Sequence, residues 1–416
     1  MNRLLTPNSI RLLNVGLRGS TLGARFIFIF FLAKYLDPAL IGYYGIFTVT
    51  VGYALYFVGL DFYTYVSREI VNASPCQRGR LLKGQAALSG ILYLILLPPA
   101  VWFLMQAAWP AHLAWWFFPI LLFEHLNQEI FRLLVALSEQ LTASAILFVR
   151  QGSWAVAIIL LMGWSDNARN LDMVMTLWAT AGAVSASLGI WKLKQLRTSG
   201  WKHVIDWAWV KKGIFISLAF LVSTLALRGV QTFDRYWLES LAGIETVGAY
   251  VLLFGVASTL LTFLDAAVFS FVYPALIQHA YKCEHREARR KVNLLFLQTI
   301  GLSAGFGLIS WFLLPYLLTW IGNPIYQQHI HWYPWLLSAI ILNGLGLVPH
   351  YALYARQCDR SIIINHLSSL PIFCFSTLLF SFKYSAFSVI IGLNVTFAVI
   401  LLLNTRAYWT IIKKAN

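Results

Sequence analysis

The sequence predicts an all-α, polytopic integral membrane protein of about twelve transmembrane helices in two six-helix bundles. Three observations carry that expectation. Of 416 residues, 59% are hydrophobic and 11% charged, with a mean hydropathy of +0.69. Soluble domains run nearer half apolar and a quarter charged, so this chain has too little polar surface to coat a water-facing exterior. Apolar runs of roughly twenty residues, the length of a helix that crosses a bilayer, recur along the whole chain. The segments between them alternate sharply in basicity.

The runs fall at 10–35, 40–63, 84–106, 113–137, 144–163, 172–191, 213–236, 247–272, 292–318, 332–354, 361–381 and 386–409. Of the 31 Lys and Arg, 22 lie with the N-terminus, 64–83, 138–143, 192–212, 273–291, 355–360 and the C-terminal tail. The opposite side carries only Lys34, Arg169 and Lys383. The positive-inside rule then puts both termini in the cytoplasm and makes the span count even. The net charge of +15 reads as topology, which excludes a nucleic-acid footprint. Seventeen Trp and 19 Tyr suit anchoring at the two interfaces. Cys76, Cys283 and Cys358 fall in basic-side loops and Cys374 in a span, none placed for a disulfide. The first run is long, contains arginines and lacks a small-x-small cleavage site, so it reads as a span and not a signal peptide.

No loop is long enough to fold as a domain. The longest external one is 319–331, and the longest internal one, 192–212, sits near the midpoint. Trp201, Trp207 and Trp209 among Lys202, Lys211 and Lys212 predict an amphipathic segment on the inner leaflet. The expected division is 1–191, a linker at 192–212, and 213–416. Gly42-Tyr43-Tyr44 and Gly248-Ala249-Tyr250 open the second span of each half, and Leu60-Asp61 and Leu264-Asp265 close it. With six spans per half, such a repeat is parallel, its twofold along the membrane normal.

Ionisable residues at bilayer depth are costly and mark function. Arg18 and Arg25 lie seven apart in span 1, and Arg228 and Arg235 seven apart in span 7. Seven residues is nearly two turns, so each pair shares a face, about 10 Å between its members. If both faces meet one cavity they form a cationic ladder. Guanidinium grips phosphate oxygens in bidentate fashion and stays charged when desolvated, so a diphosphate headgroup is the natural ligand. The plain alternative is snorkelling or local pairing, above all for Arg235, with Asp234 beside it and Glu239 a turn away.

Span 4 holds Glu124, His125, Glu129 and Arg132. His125 with Glu129 and Glu129 with Arg132 are helical neighbours, and Arg150 in span 5 lies at a similar depth, so a structural ion network is one reading. Glu124, without a partner on its own helix, is the candidate proton-coupling carboxylate; Glu129, Arg132 and Asp234 are candidates for coupling or gating. Asp61 and Asp265 sit near inner ends, suited to capping or to pairing with Arg68. There is no P-loop, no zinc-spaced Cys/His cluster and no nucleophile–base set, so no ATPase, metal or cofactor is expected. His329 and His331 in the external loop read as solvated. Pro98-Pro99, Pro119, Pro274, Pro315, Pro334 and Pro349 are expected to kink helices or mark their ends.

Arg25–Tyr44 resembles the opening of bacterial polysaccharide exporters of the MOP superfamily, where an apolar first helix ends in an aromatic-Leu and Pro turn before Gly and Tyr. Gly59-Leu60-Asp61 through Arg68-Glu69, Phe233-Asp234-Arg235-Tyr236, Val247–Tyr250 and Tyr273-Pro274 are similar to later motifs of that group. The nearest pattern is that of the Wzx-type O-antigen flippases. The resemblance implies two bundles in a V, alternately open, with a cationic cavity lined by Arg25 and Arg228. It implies an undecaprenyl-diphosphate-linked oligosaccharide as cargo, carried to the periplasmic face of the bacterial inner membrane. Membrane lipids are implied surroundings, and a glycan polymerase and chain-length regulator are implied partners. Twelve spans argue against the fourteen-helix lipid II branch. A MATE-like exporter of drugs or small solutes is the alternative, although its cavities are usually acidic. An O-antigen polymerase or ligase fits less well, since no large external loop is present.

Overall fold

The computed structural model describes residues 7–106, 109–196, 199–282 and 284–415, so Cys283 lies outside the described residues. Among these there is no β-strand. The first half runs α1 (Pro7–Tyr35), α2 (Pro38–Gly59), a short α3 (Tyr63–Asn72), α4 (Pro75–Gln106) and α5 (Ala111–Ala136). Then α6 (Gln140–Leu147) passes through a π-turn (Phe148–Ser153) into α7 (Trp154–Trp164), followed by α8 (Leu171–Gln195). The second half begins with α9 (Trp207–Ala242). Next, α10 (Ile244–Leu264) passes through a π-turn (Asp265–Phe269) into α11 (Ser270–Tyr281), followed by α12 (His285–Ile321) and a short α13 (Pro324–Gln328). It ends with α14 (Tyr333–Ala355), α15 (Asp359–Leu367), α16 (Ser369–Tyr384) and α17 (Phe387–Ala415).

Taking α6–α7, α10–α11 and α15–α16 each as one span, the twelve expected spans are present among the described residues. Eleven are long and apolar enough to cross a membrane. The twelfth, α5, has the length, but Glu124, His125, Asn127, Gln128, Glu129 and Arg132 lower its apolarity. The boundaries follow local chemistry. Asn170 accepts the Met173 N–H at 2.8 Å and starts α8. Asn323 caps α13 ahead of Pro324, and Gly322, at φ 84°, closes α12.

Three expectations about ends are corrected. Span 2 stops at Gly59 and not at 63, because Leu60 and Asp61 take left-handed φ values of 51° and 49° and turn the chain into α3. The matching Leu264-Asp265 does not end its span; Asp265 has φ −62°, and the helix continues through the π-turn to Tyr281. Span 9 starts at His285, seven residues before its apolar run, because Arg, Glu and Ala there are good helix formers. All six interior prolines are accommodated in α4, α5, α11, α12 and α14, while Pro334 opens α14.

Packing divides the chain into two compact units: Met1–Leu36 with Phe47–Leu221, and Asp37–Ile46 with Val222–Asn416. The expected linker 192–212 thus belongs to the first unit. Residues 192–195 of it end α8 and 207–212 begin α9, while 199–206 form no helix. That stretch is a strap tied to the start of α4: Gly79 N–H donates to the Ser199 carbonyl at 2.8 Å, Lys83 Nζ to the His203 carbonyl at 3.2 Å, and Arg80 to Asp206 at 3.0 Å. Asp206 also caps α9 through the Trp209 N–H. Trp209 then packs on Phe62 and Tyr65 instead of facing lipid.

The first unit's core is aromatic, with Phe28, Phe47, Trp154 and Trp178 in mutual edge and stacked contacts. In the second unit α10 is the most enclosed helix; Tyr250, Leu252, Leu253, Ala257, Leu260 and Leu264 are fully buried. The opening of α2 seats on α10 at glycines, the usual device for close approach where lipid gives helices no hydrophobic drive to associate. The segment after α12 folds as α13 and a short turn, in which His329 and His331 meet the Ile325 and Gln328 carbonyls.

Candidate functional site: intramembrane charge in each unit

In the first unit, Arg18 and Arg25 both reach the α6 span. Arg18 Nε donates to Ser144 Oγ at 3.1 Å and Arg25 Nη1 to Gln151 Oε1 at 3.3 Å. Ser144 and Gln151 are themselves seven apart, so the two spans run parallel and in register, as an even pairing of odd-numbered spans requires. Both arginines are exposed, and the groups they meet are a hydroxyl and an amide. Ser144 in turn donates to Asn14.

The π-turn Phe148–Ser153 explains how one segment serves two sites. An extra residue in the turn rotates successive side chains to faces an α-helix would not offer. Gln151 points at Arg25, while Arg150 is buried and forms an ion pair with Glu124. Arg150 Nε lies 2.9 Å from Glu124 Oε2, and Trp178 Nε1 donates to Oε1 at 2.8 Å. Gly152 permits this turn to lie against Thr21 of α1, since a Cβ would meet that backbone at 3.3 Å. Glu124 therefore has partners, but on α6–α7 and α8, where helical spacing along α5 offers no sight of them.

The other half of the span-4 cluster is local. Glu129 accepts from Arg132 Nη1 at 2.8 Å and from Gln85 Nε2 at 2.5 Å, and the Arg132 guanidinium lies 3.4 Å over the Tyr63 ring. The expected His125–Glu129 pair is absent; His125 Nδ1 meets Tyr93 Oη at 3.3 Å instead. Arg150 does not join this network, being committed to Glu124.

In the second unit the two arginines part company. Asp234 is fully buried and accepts the Arg235 N–H at 2.7 Å, Arg235 Nη1 at 3.1 Å and Tyr250 Oη at 2.5 Å. Arg235 also donates to the Gln231 carbonyl and lies 5.1 Å from the Phe254 ring. It is a neutralised, packed group, as the sequence allowed. Arg228 is exposed and makes no side-chain hydrogen bond or ion pair among the described residues. Close to it, His366 stacks on His350 at 5.1 Å and 12°, with Nδ1 of His350 buried and unpartnered. Residues so far apart on two helices give no pattern in sequence. Among the described residues no cluster of three or more His, Cys, Asp or Glu has metal-binding geometry.

The fold just described is shared with solved transporters. An inward-facing multidrug resistance MATE family transporter of the MOP superfamily matches with a TM-score of 0.74 at 12% identity, over 95% of each chain. A Vibrio cholerae MATE transporter matches at 0.65 and 15% identity, over 97% of this chain and 95% of that one. The outward-facing form of a MATE transporter of the MOP superfamily matches at 0.62 and 12% identity, over 98% and 96%. No family model and no curated protein sequence matches the chain.

Proposed function

We propose that this membrane protein is a transporter that moves an anionic lipid-linked glycan, of the undecaprenyl-diphosphate type, from the cytoplasmic to the periplasmic leaflet of a bacterial inner membrane by alternating access. One observation carries the reading. The acids Glu124, Glu129 and Asp234 are each bound to an arginine, whereas Arg25 and Arg228 are exposed and meet no carboxylate in a direct ion pair. An arginine at helix mid-depth costs roughly 2.5–3.5 kcal/mol on insertion scales. Two such residues, one midway along the first span of each half, are retained at that cost, which favours a role in binding an anion. Arg18, at the shallower end of span 1, extends the same cationic face; Arg235 is reassigned to structure.

Phosphate oxygens would displace the weak Gln151 contact from Arg25 and meet Arg228 directly. The sugars travel in water and the lipid tail stays in the bilayer, so no charge is left bare in hydrocarbon. Coupling to protons through Glu124, and hand-off to a polymerase and chain-length regulator, belong to the same proposal. The shared fold favours one second reading, a MATE-like exporter of drugs or small solutes.

Vesicles containing the purified protein decide between the two. Flipping of a polyprenyl-diphosphate oligosaccharide, lost in Arg25→Ala and Arg228→Ala, is the expected result. Uptake of a cationic dye that both variants retain, with no flipping of the lipid diphosphate, overturns the proposal in favour of the exporter.

A further inference from the structure

The first unit contains a cavity of about 800 Å³ that the transport proposal does not use. It lies between α3, α4, α5 and the end of α8, within the usual size range of ligand sites, roughly 300–1,000 Å³. Its wall is mostly apolar, but the polarity is graded. At the end where α4 begins stand Gln85, Glu129, Arg132 and Lys194; toward mid-span stand Gly90, Tyr93 and Leu122. A second hollow shares Tyr63, Ser67, Arg132 and Ala136 with it and adds Arg68 at the same polar end.

Depth can be read along α4. From Leu82 to Tyr93 the helix climbs about 16 Å, close to half of a hydrocarbon core about 30 Å thick. The cavity is therefore one leaflet deep. Almost none of the α4 span is covered by protein, so the cavity opens sideways toward lipid. At its polar end stand three cations, Arg68, Arg132 and Lys194; the carboxylate in its wall, Glu129, is already satisfied by Arg132 and Gln85, and the buried Asp61 lies near enough to act on Glu129 and Tyr63. Arg68 and Lys194 are exposed and form no ion pair among the described residues.

We infer that this cavity is a binding site for one anionic phospholipid of the leaflet on which α4 begins, the cytoplasmic leaflet on the topology the basic loops predict. The phosphate sits among Arg68, Arg132 and Lys194, and an acyl chain lies along Gly90 and Leu122 toward the Tyr93–His125 pair. Head-down, tail-up polarity is that of a lipid already in its leaflet, so occupancy needs only lateral entry. The inference is independent of the cargo, since Arg25 and Arg228 take no part.

Gly90 gives a probe, because it lines the cavity and a Cβ there meets open space, so a larger side chain can be aimed into the cavity. Full-length protein in mild detergent is melted with added dioleoylphosphatidylglycerol or dioleoylphosphatidylcholine. Phosphatidylglycerol is expected to raise the melting temperature of the parent protein more than phosphatidylcholine does. Gly90→Trp is expected to abolish that difference, and Lys194→Gln with Arg68→Gln to reduce it at least by half. Equal shifts from the two lipids, or an undiminished difference in Gly90→Trp, overturn the inference. So does a shift that a polyprenyl diphosphate produces through the same cavity and phosphatidylglycerol does not, which would assign the cavity to the cargo's lipid.

Discussion

Gly42 and Gly248 hold equivalent places in a reciprocal contact: Gly42 abuts Ile244 at the start of α10, and Gly248 abuts Pro38 at the start of α2. An offset of 206 residues takes Gly42 to Gly248 and Pro38 to Ile244. The same offset takes Gly45 to Val251, and those two residues touch each other. Such a pattern is what a twofold contact requires: residue i meets j, the counterparts do the same, and a residue on the axis meets its own counterpart. The short matches in sequence at these glycines therefore mark equivalent places on α2 and α10, whose opening turns pack on one another.

A Cβ at Gly42 or Gly248 would overlap a main-chain carbonyl oxygen, which cannot swing aside as a side chain can. Gly42→Ala and Gly248→Ala are each expected to cost about 1–3 kcal/mol through overpacking. Gly52→Ala in the same helix meets open space and is expected to be neutral or to stabilise by about 0.4–1 kcal/mol. Melting temperatures of the three variants in one detergent check this, and three equal values would remove the glycine contact as a structural constraint.

The arginines separate by environment. Arg235→Ala strips a fully buried Asp234 of its counter-ion, and breaking a buried pair costs about 3–5 kcal/mol. Low abundance in the membrane and a lowered melting temperature are expected. Arg25→Ala and Arg228→Ala remove exposed charges with no ion pair to lose, so abundance is expected to stay normal while delivery of surface glycan fails. Normal glycan in both would remove their proposed role.

Hydropathy and loop charge made the span count legible because both are additive along the chain. Span ends were less so: Leu60-Asp61 and Leu264-Asp265 have the same letters, yet one pair turns left-handed and the other enters a π-turn. Partners along one helix were readable, as for Glu129 with Arg132, whereas Glu124 with Arg150 and Trp178 joins three spans and has no spacing to betray it. Arg18 and Arg228 were similar as letters; only the fold gives the first Ser144 and leaves the second bare.

Asp206 performs two tasks in the strap, capping α9 and holding Arg80. The ion pair is well exposed, 44% and 37%, and is worth about 0–1 kcal/mol. Loss of an N-cap costs about 0.5–2 kcal/mol. Asp206→Ala is therefore expected to destabilise more than Arg80→Ala. Limited proteolysis reports this locally: cleavage within 199–206 should quicken strongly in Asp206→Ala and little in Arg80→Ala.

The buried Glu124–Arg150 pair gives a test of what Glu124 does. Both side chains are under a tenth exposed, and Trp178 holds the second carboxylate oxygen. If the pair is structural, Glu124→Gln leaves Arg150 charged and uncompensated and costs about 3–5 kcal/mol, as does Arg150→Met alone. Replacing both, Glu124→Gln with Arg150→Met, then restores much of the loss, because no bare charge remains. A double-mutant cycle on melting temperature measures that coupling. Transport in the double variant supplies the other arm: flipping that keeps its dependence on an imposed pH gradient confines Glu124 to structure. Flipping that persists but no longer responds to the gradient assigns the carboxylate to proton coupling, with Arg150 as the group that holds it ionised between cycles.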